Sequence, residues 1–452
     1  MPIPIISHVL SEGLSAVPHV YTVFKWTAVA AIVALLKYYF GGARNTSERL
    51  MHSKVVMITG GTSGIGASIV HDLASRGAQI ILLTQHAPSD LFLVDYIEDV
   101  RQSTNNELIY AEQVDLTSLH SIRKFATKWV DNAPPRRLDM IILCANTLKP
   151  SRSGKPRLTF DGLDEEWQVN YLANFHLLSI LSPALRAQPP DRDVRIIFAT
   201  CSSYIGATMD FQRTEGVVSS AATTGIKNKS KPGAKNASLS RKNKRNSSAA
   251  SMYGMTKLSL MIFAKAFQKH LSSYKRPDQQ PMNARVLIVD PGYSRTPGTR
   301  RWLTGGSLWG LLVYLILWPV WWLILKSPHA GAQSFLYAAM EARFGRSAGE
   351  HIGGGWLIKE CREVECLRKE VDDVDVAKEL WEFSEQQIQI KEKESAKRRA
   401  LEKAQKEKEE EDKKRKQKDE EKAKAQTNKK EKVDNSNNNK NNSKSRPNKN
   451  RK

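Results

Sequence analysis

From Lys54 onward the chain alternates short apolar runs with stretches of helical pattern, and this alternation constrains the fold more than any other feature. The runs VVMITGG, IILLT, LDMIILCA, VRIIFAT and RVLIVDPG each have the length of a buried strand. Repetition of strand, helix and strand predicts an α/β fold, in which a doubly wound parallel sheet carries helices on both faces.

The net charge of +22 is concentrated outside this alternating pattern. Residues 212–250 contribute +8 and residues 391–452 contribute +11, which leaves +3 for the rest of the chain. So small an excess on the fold itself gives no indication of a nucleic-acid partner. The four cysteines form neither a CxxC motif nor a cluster with histidines, so we expect neither a metal site nor a disulfide framework.

Two segments have low-complexity composition. Residues 212–250 are rich in Ser, Lys, Asn, Gly and Ala, and we expect a disordered basic insertion because so little apolar surface cannot offset the ordering entropy. From about residue 371 to residue 452 the chain is helical in pattern and charged, and residues 391–426 carry many opposite charges four positions apart and no apolar seam. This pattern predicts a solvated helix with a disordered end, NSNNNKNNSKSRPNKNRK. The tail either aids solubility or is attracted to anionic lipid headgroups.

Residues 1–50 contain an apolar segment that runs from Val20 to Phe40, with Lys25 and Lys37 inside it. Three further basic residues follow the segment by position 54. Because basic residues next to a membrane segment stay on the cytoplasmic side, the pattern predicts a membrane anchor whose following domain faces the cytosol. A spanning and a monotopic anchor both fit, and the alternative to either is an amphipathic or buried N-terminal helix.

A glycine-rich turn follows the first predicted strand and opens a helix. It reads TGGTSGIG, from Thr59 to Gly66. Glycines allow the backbone to turn tightly and to approach a pyrophosphate, which then lies at the positive N-terminus of the helix. The turn therefore predicts a dinucleotide-binding site.

Tyr253 and Lys257 stand four residues apart at the start of the apolar helical run LSLMIFAKAFQKHL. Positions i and i+4 share a helix face, so the ammonium group can lie near the phenol and lower its pKa. A tyrosine tuned in this way can exchange a proton with a carbonyl or alcohol oxygen. The pair predicts an acid–base centre.

Taken in order, these motifs resemble those of the short-chain dehydrogenase/reductase family. TGGTSGIG is similar to the family's cofactor-binding turn, and YGMTK to its catalytic Tyr and Lys. The resemblance covers about residues 53–300 and resumes in SPHAGAQSFLYAAM. Within the family, the motifs and their spacing are most similar to those of the retinol-dehydrogenase-like branch. It implies a Rossmann-type dehydrogenase domain over residues 51–370. It is also compatible with a homodimer paired through helices that flank the active site.

The resemblance further implies roles for individual residues. The expected catalytic residues are Tyr253, Lys257, Ser202 and Asn170. The expected cofactor-binding residues are Thr59, Gly60, Ser63, Gly64, Ile65, Gly66, Gln85, Asp115, Leu116, Asn146, Tyr253, Lys257, Pro291, Gly292 and Thr296. Among them, Asp115 would neighbour the adenine, Asn170 would support a proton relay, and the Pro291–Gly292 turn would close over the nicotinamide.

Three positions depart from the family's pattern. The family's Asn-Asn-Ala-Gly is LCAN here, ending at Asn146. Strand alignment puts the catalytic serine at Cys201, with Ser202 and Ser203 directly after it, and we favour Ser202 because a hydroxyl bonds a substrate oxygen better than a thiol does. The second strand ends at Gln85 without an acidic residue, which favours NADP over NAD, although the arginine common in NADP-binding relatives is absent.

The predicted function is that of an NADP(H)-dependent oxidoreductase acting on a lipophilic carbonyl or alcohol, such as a retinoid or a steroid. We expect it at a membrane or lipid-droplet surface, on the cytosolic side of the endoplasmic reticulum, the droplet or both. The alternative is a non-catalytic or weakly active protein of the same fold that organises lipid surfaces. The altered LCAN motif and the open assignment of the serine favour that alternative.

A second apolar run, SLWGLLVYLILWPVWWLILKS, occupies residues 307–327. A single membrane crossing would separate the helix that follows from its own sheet, so the run must enter and leave on one face, with a bend at Pro319. Each arm is then short: the first, residues 307–318, is about 18 Å long as a helix, which is too short for a hydrocarbon core of about 30 Å. We therefore predict a membrane-associating hairpin over residues 302–326. The alternative is a loop helix packed on protein.

Overall fold

The computed structural model describes residues 20–150, 157–209, 249–345 and 353–441. Within these residues, eight strands form one sheet in the order β3-β2-β1-β4-β5-β6-β7-β8. They are β1 (Val55–Thr59), β2 (Gln79–Thr84), β3 (Ile109–Gln113), β4 (Met140–Leu143), β5 (Val194–Ala199), β6 (Ala284–Asp290), β7 (Trp356–Lys359) and β8 (Arg362–Val364). Strands β1 to β7 are parallel, and β8 returns antiparallel to β7.

The helices follow the strands in the alternation that the sequence predicts. They are α1 (Val20–Gly41), α2 (Gly64–Ser75), α3 (Leu91–Thr104), α4 (Leu119–Val130), α5 (Glu165–Trp167), α6 (Ala173–Arg186), α7 (Ala249–Ser273), α8 (Pro297–Leu303), α9 (Leu308–Ile316), α10 (Trp318–Ile324), α11 (Pro328–Met340) and α12 (Val374–Asn441). A π-helical turn, Gln168–Leu172, joins α5 to α6, and a 3-10 turn, Ser202–Gly206, follows β5.

Both faces of the sheet are covered, which confirms the predicted doubly wound α/β fold. Along β1, Val55 and Met57 pack into a core with α4, α6 and α7, whereas Val56 and Ile58 pack into a second core with α2, α3 and α11. Because successive side chains of a strand point to opposite faces, a strand buried on both faces needs an uninterrupted apolar run. This explains why these strands read as continuous apolar segments.

The strand order reverses direction between β1 and β4. The chain first builds outward through β2 and β3, then crosses back to place β4 on the other side of β1. In open α/β sheets a ligand binds at such a reversal, outside the carboxyl ends of the strands. The topology therefore directs attention to the loops that follow β1, β4, β5 and β6.

The N-terminal apolar segment forms one continuous helix, α1, of 22 residues. At 1.5 Å per residue it is about 33 Å long. By length and composition α1 is suited to cross a membrane. Lys25 and Lys37 lie within the helix without breaking it.

The tryptophan-rich run forms a helical hairpin made of α9 and α10. The bend lies at Leu317 rather than at Pro319, which falls in the first turn of α10, where a proline costs no hydrogen bond. At the base of the hairpin, Ser294 and Lys326 form a parallel bridge, and the Lys326 N–H donates to the Tyr293 carbonyl at 3.0 Å. The chain therefore leaves the sheet and returns to it at one place.

The hairpin and α1 pack against each other. The Lys37 ammonium donates to the carbonyl of Trp322 and lies 4.6 Å from the centroid of that ring. Much of the remaining apolar surface is exposed, including Leu308 at 84% and Trp309 at 77%. The two apolar segments that the sequence predicts separately thus form one surface.

The two low-complexity segments have different outcomes. Most of the predicted insertion lies outside the described residues, and its last two residues begin α7. The C-terminal helix α12 continues to Asn441, so residues 435–441, expected to be disordered, are helical.

The start of α12, residues 374–389, precedes the stretch predicted as a solvated helix and covers the surface formed by α6 and α7. Leu380 and Ile388 are buried there, and the Tyr171 and Ser384 hydroxyls lie 2.7 Å apart. This segment belongs to one compact unit with the sheet, and a second unit begins at Ile390.

Candidate active site

Two glycines of the turn between β1 and α2 cannot carry a side chain, because neighbouring backbone lies too close. At Gly60, where φ is +67°, a Cβ would lie 2.8 Å from the backbone of Ala145. At Gly66 a Cβ would lie 2.1 Å from the Gly60 carbonyl oxygen. Only glycine therefore allows the turn to pack this tightly, and such a turn at a helix N-terminus suits the binding of a pyrophosphate.

A cavity of about 770 Å³ extends from this turn along the carboxyl ends of the strands. Most of the residues that the sequence predicts as a site line it: Gly60, Ser63, Gly64, Ile65, Gly66, Gln85, Asp115, Leu116, Asn146, Tyr253, Lys257, Pro291, Gly292 and Thr296. Three of the predicted residues do not line the cavity: Thr59, Asn170 and Ser202. Thr59 lies below the turn, where its hydroxyl accepts a hydrogen bond from the Ala145 N–H at 3.2 Å.

One end of the cavity is formed by the loops after β2 and β3. Gln85 and His86 follow β2, and the His86 imidazole lies 3.1 Å from the Asp90 carboxylate. After β3, Asp115 accepts hydrogen bonds from the N–H and the hydroxyl of Thr117, at 2.8 and 2.7 Å. These bonds fix the turn that exposes Leu116 to the cavity, at the position expected to neighbour an adenine.

The other end of the cavity brings together Tyr253, Lys257, Asn146 and Cys201. The Asn146 side-chain amide donates to the Tyr253 hydroxyl at 3.0 Å, and the Cys201 thiol lies 3.7 Å from the same oxygen. Lys257 is 2% exposed, and its ammonium donates to the Ala199 carbonyl at 3.2 Å. Asn146, expected only as a cofactor contact, is therefore a direct partner of the tyrosine.

Burial dominates the electrostatics of the Tyr–Lys pair. It raises the pKa of Tyr253 well above the usual value, because a buried phenolate loses hydration, and Cys201 adds to this effect. Burial also lowers the pKa of Lys257. The pKa of the Tyr253 phenol is thus raised, and not lowered as expected from the spacing to Lys257. A phenol with a raised pKa stays protonated at neutral pH, which suits the role of a proton donor.

Ser202 points away from the cavity. Its hydroxyl donates to the Asp290 carboxylate at 2.7 Å and accepts from the Lys359 ammonium at 3.1 Å. Cys201 and Ser203 both line the cavity, with their sulfur and oxygen atoms 2.9 Å apart. The structure therefore places Cys201 and Ser203, rather than the favoured Ser202, at the cavity, which makes these two residues the candidates for orienting a substrate oxygen.

This arrangement gives a prediction for two neighbouring serines. Replacing Ser203 by alanine should lower kcat about tenfold or more, because a hydrogen bond to a substrate oxygen is lost in a closed site. Replacing Ser202 by alanine should lower kcat less, because Asp290 and Lys359 remain 3.5 Å apart and still form an ion pair. Steady-state kinetics of both variants measures the difference. Equal losses would contradict the assignment.

Asn170 acts on the loop after β4 rather than on the cavity. It lies in the π-helical turn, fully buried, and its side-chain oxygen accepts from the Thr147 N–H at 2.7 Å. Its amide nitrogen donates to the Thr147 carbonyl at 2.9 Å. Because Thr147 directly follows Asn146, these bonds hold the residue that contacts Tyr253.

Other residues at the site are missed by the sequence motifs. The apolar wall includes Trp302, Leu303, Trp321 and Leu325, which belong to the hairpin or precede it. Their position shortly after the Pro291–Gly292 turn is the signal that could have identified them. Glu165 also lines the cavity, close to the Thr147 hydroxyl at 3.3 Å.

A Tyr–Lys pair and a glycine-rich turn that line one cavity, at the carboxyl ends of a doubly wound sheet, are typical of an oxidoreductase of the nicotinamide-dependent class. The family model described as short chain dehydrogenase matches residues 54–212. The uncharacterized oxidoreductase pbr1 of Schizosaccharomyces pombe is 40% identical over 400 residues, which cover 88% of this chain and 98% of that protein. The chain belongs to the short-chain dehydrogenase family.

Two further relatives extend the comparison. The uncharacterized oxidoreductase YNL181W of Saccharomyces cerevisiae is 34% identical over 417 residues, covering 88% of this chain and 95% of that protein. Human retinol dehydrogenase 13 is 28% identical over 354 residues, covering 78% of this chain and 90% of that protein. These matches agree with the resemblance to the retinol-dehydrogenase-like branch.

Proposed function

We propose that this protein is an NADP(H)-dependent oxidoreductase that interconverts a lipophilic carbonyl and its alcohol at a membrane surface. The observation that carries the proposal is the cavity itself. At one end the Tyr253 hydroxyl is held by Asn146 beside Cys201 and Ser203, and an apolar wall lies alongside. The reaction centre and the apolar wall share one space.

The residues present fit a nicotinamide dinucleotide. The open glycine turn would hold the pyrophosphate, the loop with Leu116 would meet the adenine, and Lys257 with the Pro291–Gly292 turn would hold the nicotinamide ribose. When bound, this group supplies or accepts the hydride. The chain's own contribution is to orient the substrate oxygen through Ser203 and Cys201, and to give it a proton, or take one from it, at the Tyr253 hydroxyl.

The apolar wall supports a lipophilic substrate. The wall consists of large apolar side chains, those of Trp302, Leu303, Trp321 and Leu325. A hydrocarbon chain or ring system therefore gains the most binding free energy there, because it buries the most apolar surface. The similarity to a protein named retinol dehydrogenase supports the same class of substrate.

The surface formed by α1 and the hairpin supports membrane association. The helix α1, about 33 Å long, matches a hydrocarbon core of about 30 Å. The hairpin next to it is too short to span and carries tryptophans, which favour the interfacial depth of a membrane. We propose a cytosol-facing location on the endoplasmic reticulum, on lipid droplets or on both, and a spanning α1 favours the bilayer.

The cofactor preference gives a second prediction. Replacing Gln85 by aspartate should shift the ratio of kcat/KM for NADP(H) to that for NAD(H) at least about tenfold toward NAD(H), because a carboxylate at the end of β2 repels a 2′-phosphate and accepts from ribose hydroxyls. Replacing Gln85 by asparagine is the matched uncharged control. A ratio unchanged by the aspartate would argue against NADP(H) binding at this end of the cavity.

The proposed function is tested by incubating the purified protein, in detergent or liposomes, with each nicotinamide cofactor and a panel of retinoid, steroid and fatty carbonyls and alcohols. Cofactor absorbance reports turnover. The expected result is turnover of one lipophilic class with NADP(H) preferred. Cofactor binding without turnover across the panel would instead favour the non-catalytic alternative.

A further inference from the structure

A buried carboxylic acid lies one helical turn before Asn170. Glu166 is fully buried, and its Oε1 accepts a hydrogen bond from the Lys149 N–H at 2.7 Å. Its second oxygen, Oε2, has no hydrogen-bond partner within the described residues and lies 3.9 Å from the Lys149 ammonium. Burying an acid with an unpaired oxygen is costly, so the position invites a functional explanation.

Glu166 and Asn170 act on the same short segment, residues 146–149. Asn170 holds both backbone groups of Thr147, at 2.7 and 2.9 Å, and Glu166 holds the N–H of Lys149. These bonds fix the segment just after Asn146. Since the Asn146 side chain donates to the Tyr253 hydroxyl, the orientation of the tyrosine's partner depends on both side chains.

Three charged residues interact with Glu166. Lys149 forms an ion pair with Asp164, which starts the same helical turn, and Glu165 is next along the chain. Burial raises the pKa of Glu166 to about 7, Lys149 opposes this rise, and Asp164 and Glu165 add to it. The negative charge of Glu166 in turn contributes to raising the pKa of Tyr253.

We propose that Glu166 is a positioning residue that holds Asn146 against the Tyr253 hydroxyl through the backbone of Lys149, and that its ionisation tightens this hold. The inference rests on the proposed function, because it assigns a role within the same site. Glu166 itself does not line the cavity, so the proposed role involves no direct contact with substrate.

The direction of the pH effect follows from the carboxyl group. Below about pH 7 Glu166 is protonated and is a weaker acceptor for the Lys149 N–H. Above that pH it is ionised, and a charged acceptor makes the stronger hydrogen bond. In the direction of carbonyl reduction, kcat should therefore rise as pH increases through about 7. The ionised form also helps to keep Tyr253 protonated as the donor.

The test compares kcat, cofactor KM and pH profiles of three variants of the full chain. Glu166→Gln keeps an acceptor oxygen but cannot ionise, so it should remain active and lose the step near pH 7. Glu166→Leu removes the acceptor and should lower kcat about tenfold or more while cofactor KM stays within about twofold, because misplacing a catalytic group affects turnover first. Glu107→Gln, on a side chain that is 86% exposed, is the matched control and should behave as wild type.

Each outcome decides the matter. A wild-type pH step in Glu166→Gln, or a wild-type kcat in Glu166→Leu, would overturn the proposal. If Glu166→Leu does not fold, as judged by circular dichroism, the profile of Glu166→Gln decides alone. The failure of the proposed function is distinguishable from this. If Tyr253→Phe retains turnover, the proposed function is overturned. If Tyr253→Phe is inactive but the Glu166 variants behave like the wild-type protein, only this inference is overturned.

Discussion

Replacing Tyr253 by phenylalanine is expected to lower kcat by about 10²- to 10⁴-fold, the usual contribution of a positioned acid or base. The change removes only the hydroxyl that Asn146 and Cys201 contact. Since no other change is made to the ring, its packing should persist. Single-turnover and steady-state measurements of cofactor oxidation with the best carbonyl from the panel give the size of the effect.

Cofactor binding should survive this substitution nearly intact. The glycine turn and the loop with Leu116 lie at the other end of the cavity from the Tyr253 hydroxyl. Titration of cofactor fluorescence in both proteins measures the binding. Tyr110→Phe, on the edge strand β3, is the matched control and should keep wild-type turnover. Substantial turnover by Tyr253→Phe would show that another group transfers the proton.

Removing the apolar surface should have the second large effect, on membrane binding. A chain that lacks residues 1–41 is expected to bind liposomes reversibly through the hairpin alone. Adding Trp309→Ser and Leu312→Ser to that chain should weaken the binding by about 10²- to 10⁴-fold, because burying each large apolar side chain contributes about 1.5–3 kcal/mol. Both side chains are exposed in the folded protein, so neither change opens a cavity.

Liposome flotation at low and high salt measures this effect and separates it from the basic tail. Apolar binding persists at high salt, whereas attraction of the tail to anionic lipid is screened. Leu91→Ser with Leu367→Ser, two exposed leucines outside this surface, is the matched control. If the chain without residues 1–41 does not bind at all, the hairpin is a protein-packed element and the membrane proposal is limited to α1.

The fold and much of the site could be predicted because their signals are local in sequence. The glycine turn needs only β1 before it and α2 after it, and the Tyr253–Lys257 spacing fixes a shared helix face whatever surrounds it. Strand alternation likewise requires no knowledge of distant residues. Each of these patterns is contained in a few consecutive positions.

The remaining parts of the site depend on contacts between distant positions. The choice between Ser202 and Ser203 turns on which side of the chain faces the cavity after β5 ends, and a shift of one residue reverses it. The contact of Asn146 with Tyr253 joins the loop after β4 to a position on α7 that is 107 residues away. The raised pKa of Tyr253 reflects burial by the whole surroundings, which a nearby lysine in the sequence does not reveal.

The covering of α6 and α7 by Val374–Gln389 bears on self-association. The rings of Phe175 and Phe263 pack against Trp381 of that segment, at centroid distances of 5.1 and 5.6 Å. A second copy that pairs through these helices would have to displace residues 374–389 of the same chain, which act as a competitor for this surface. A tethered competitor acts at an effective concentration in the millimolar range, independent of how much protein is present. A homodimer, if this chain forms one, is therefore expected to use another face.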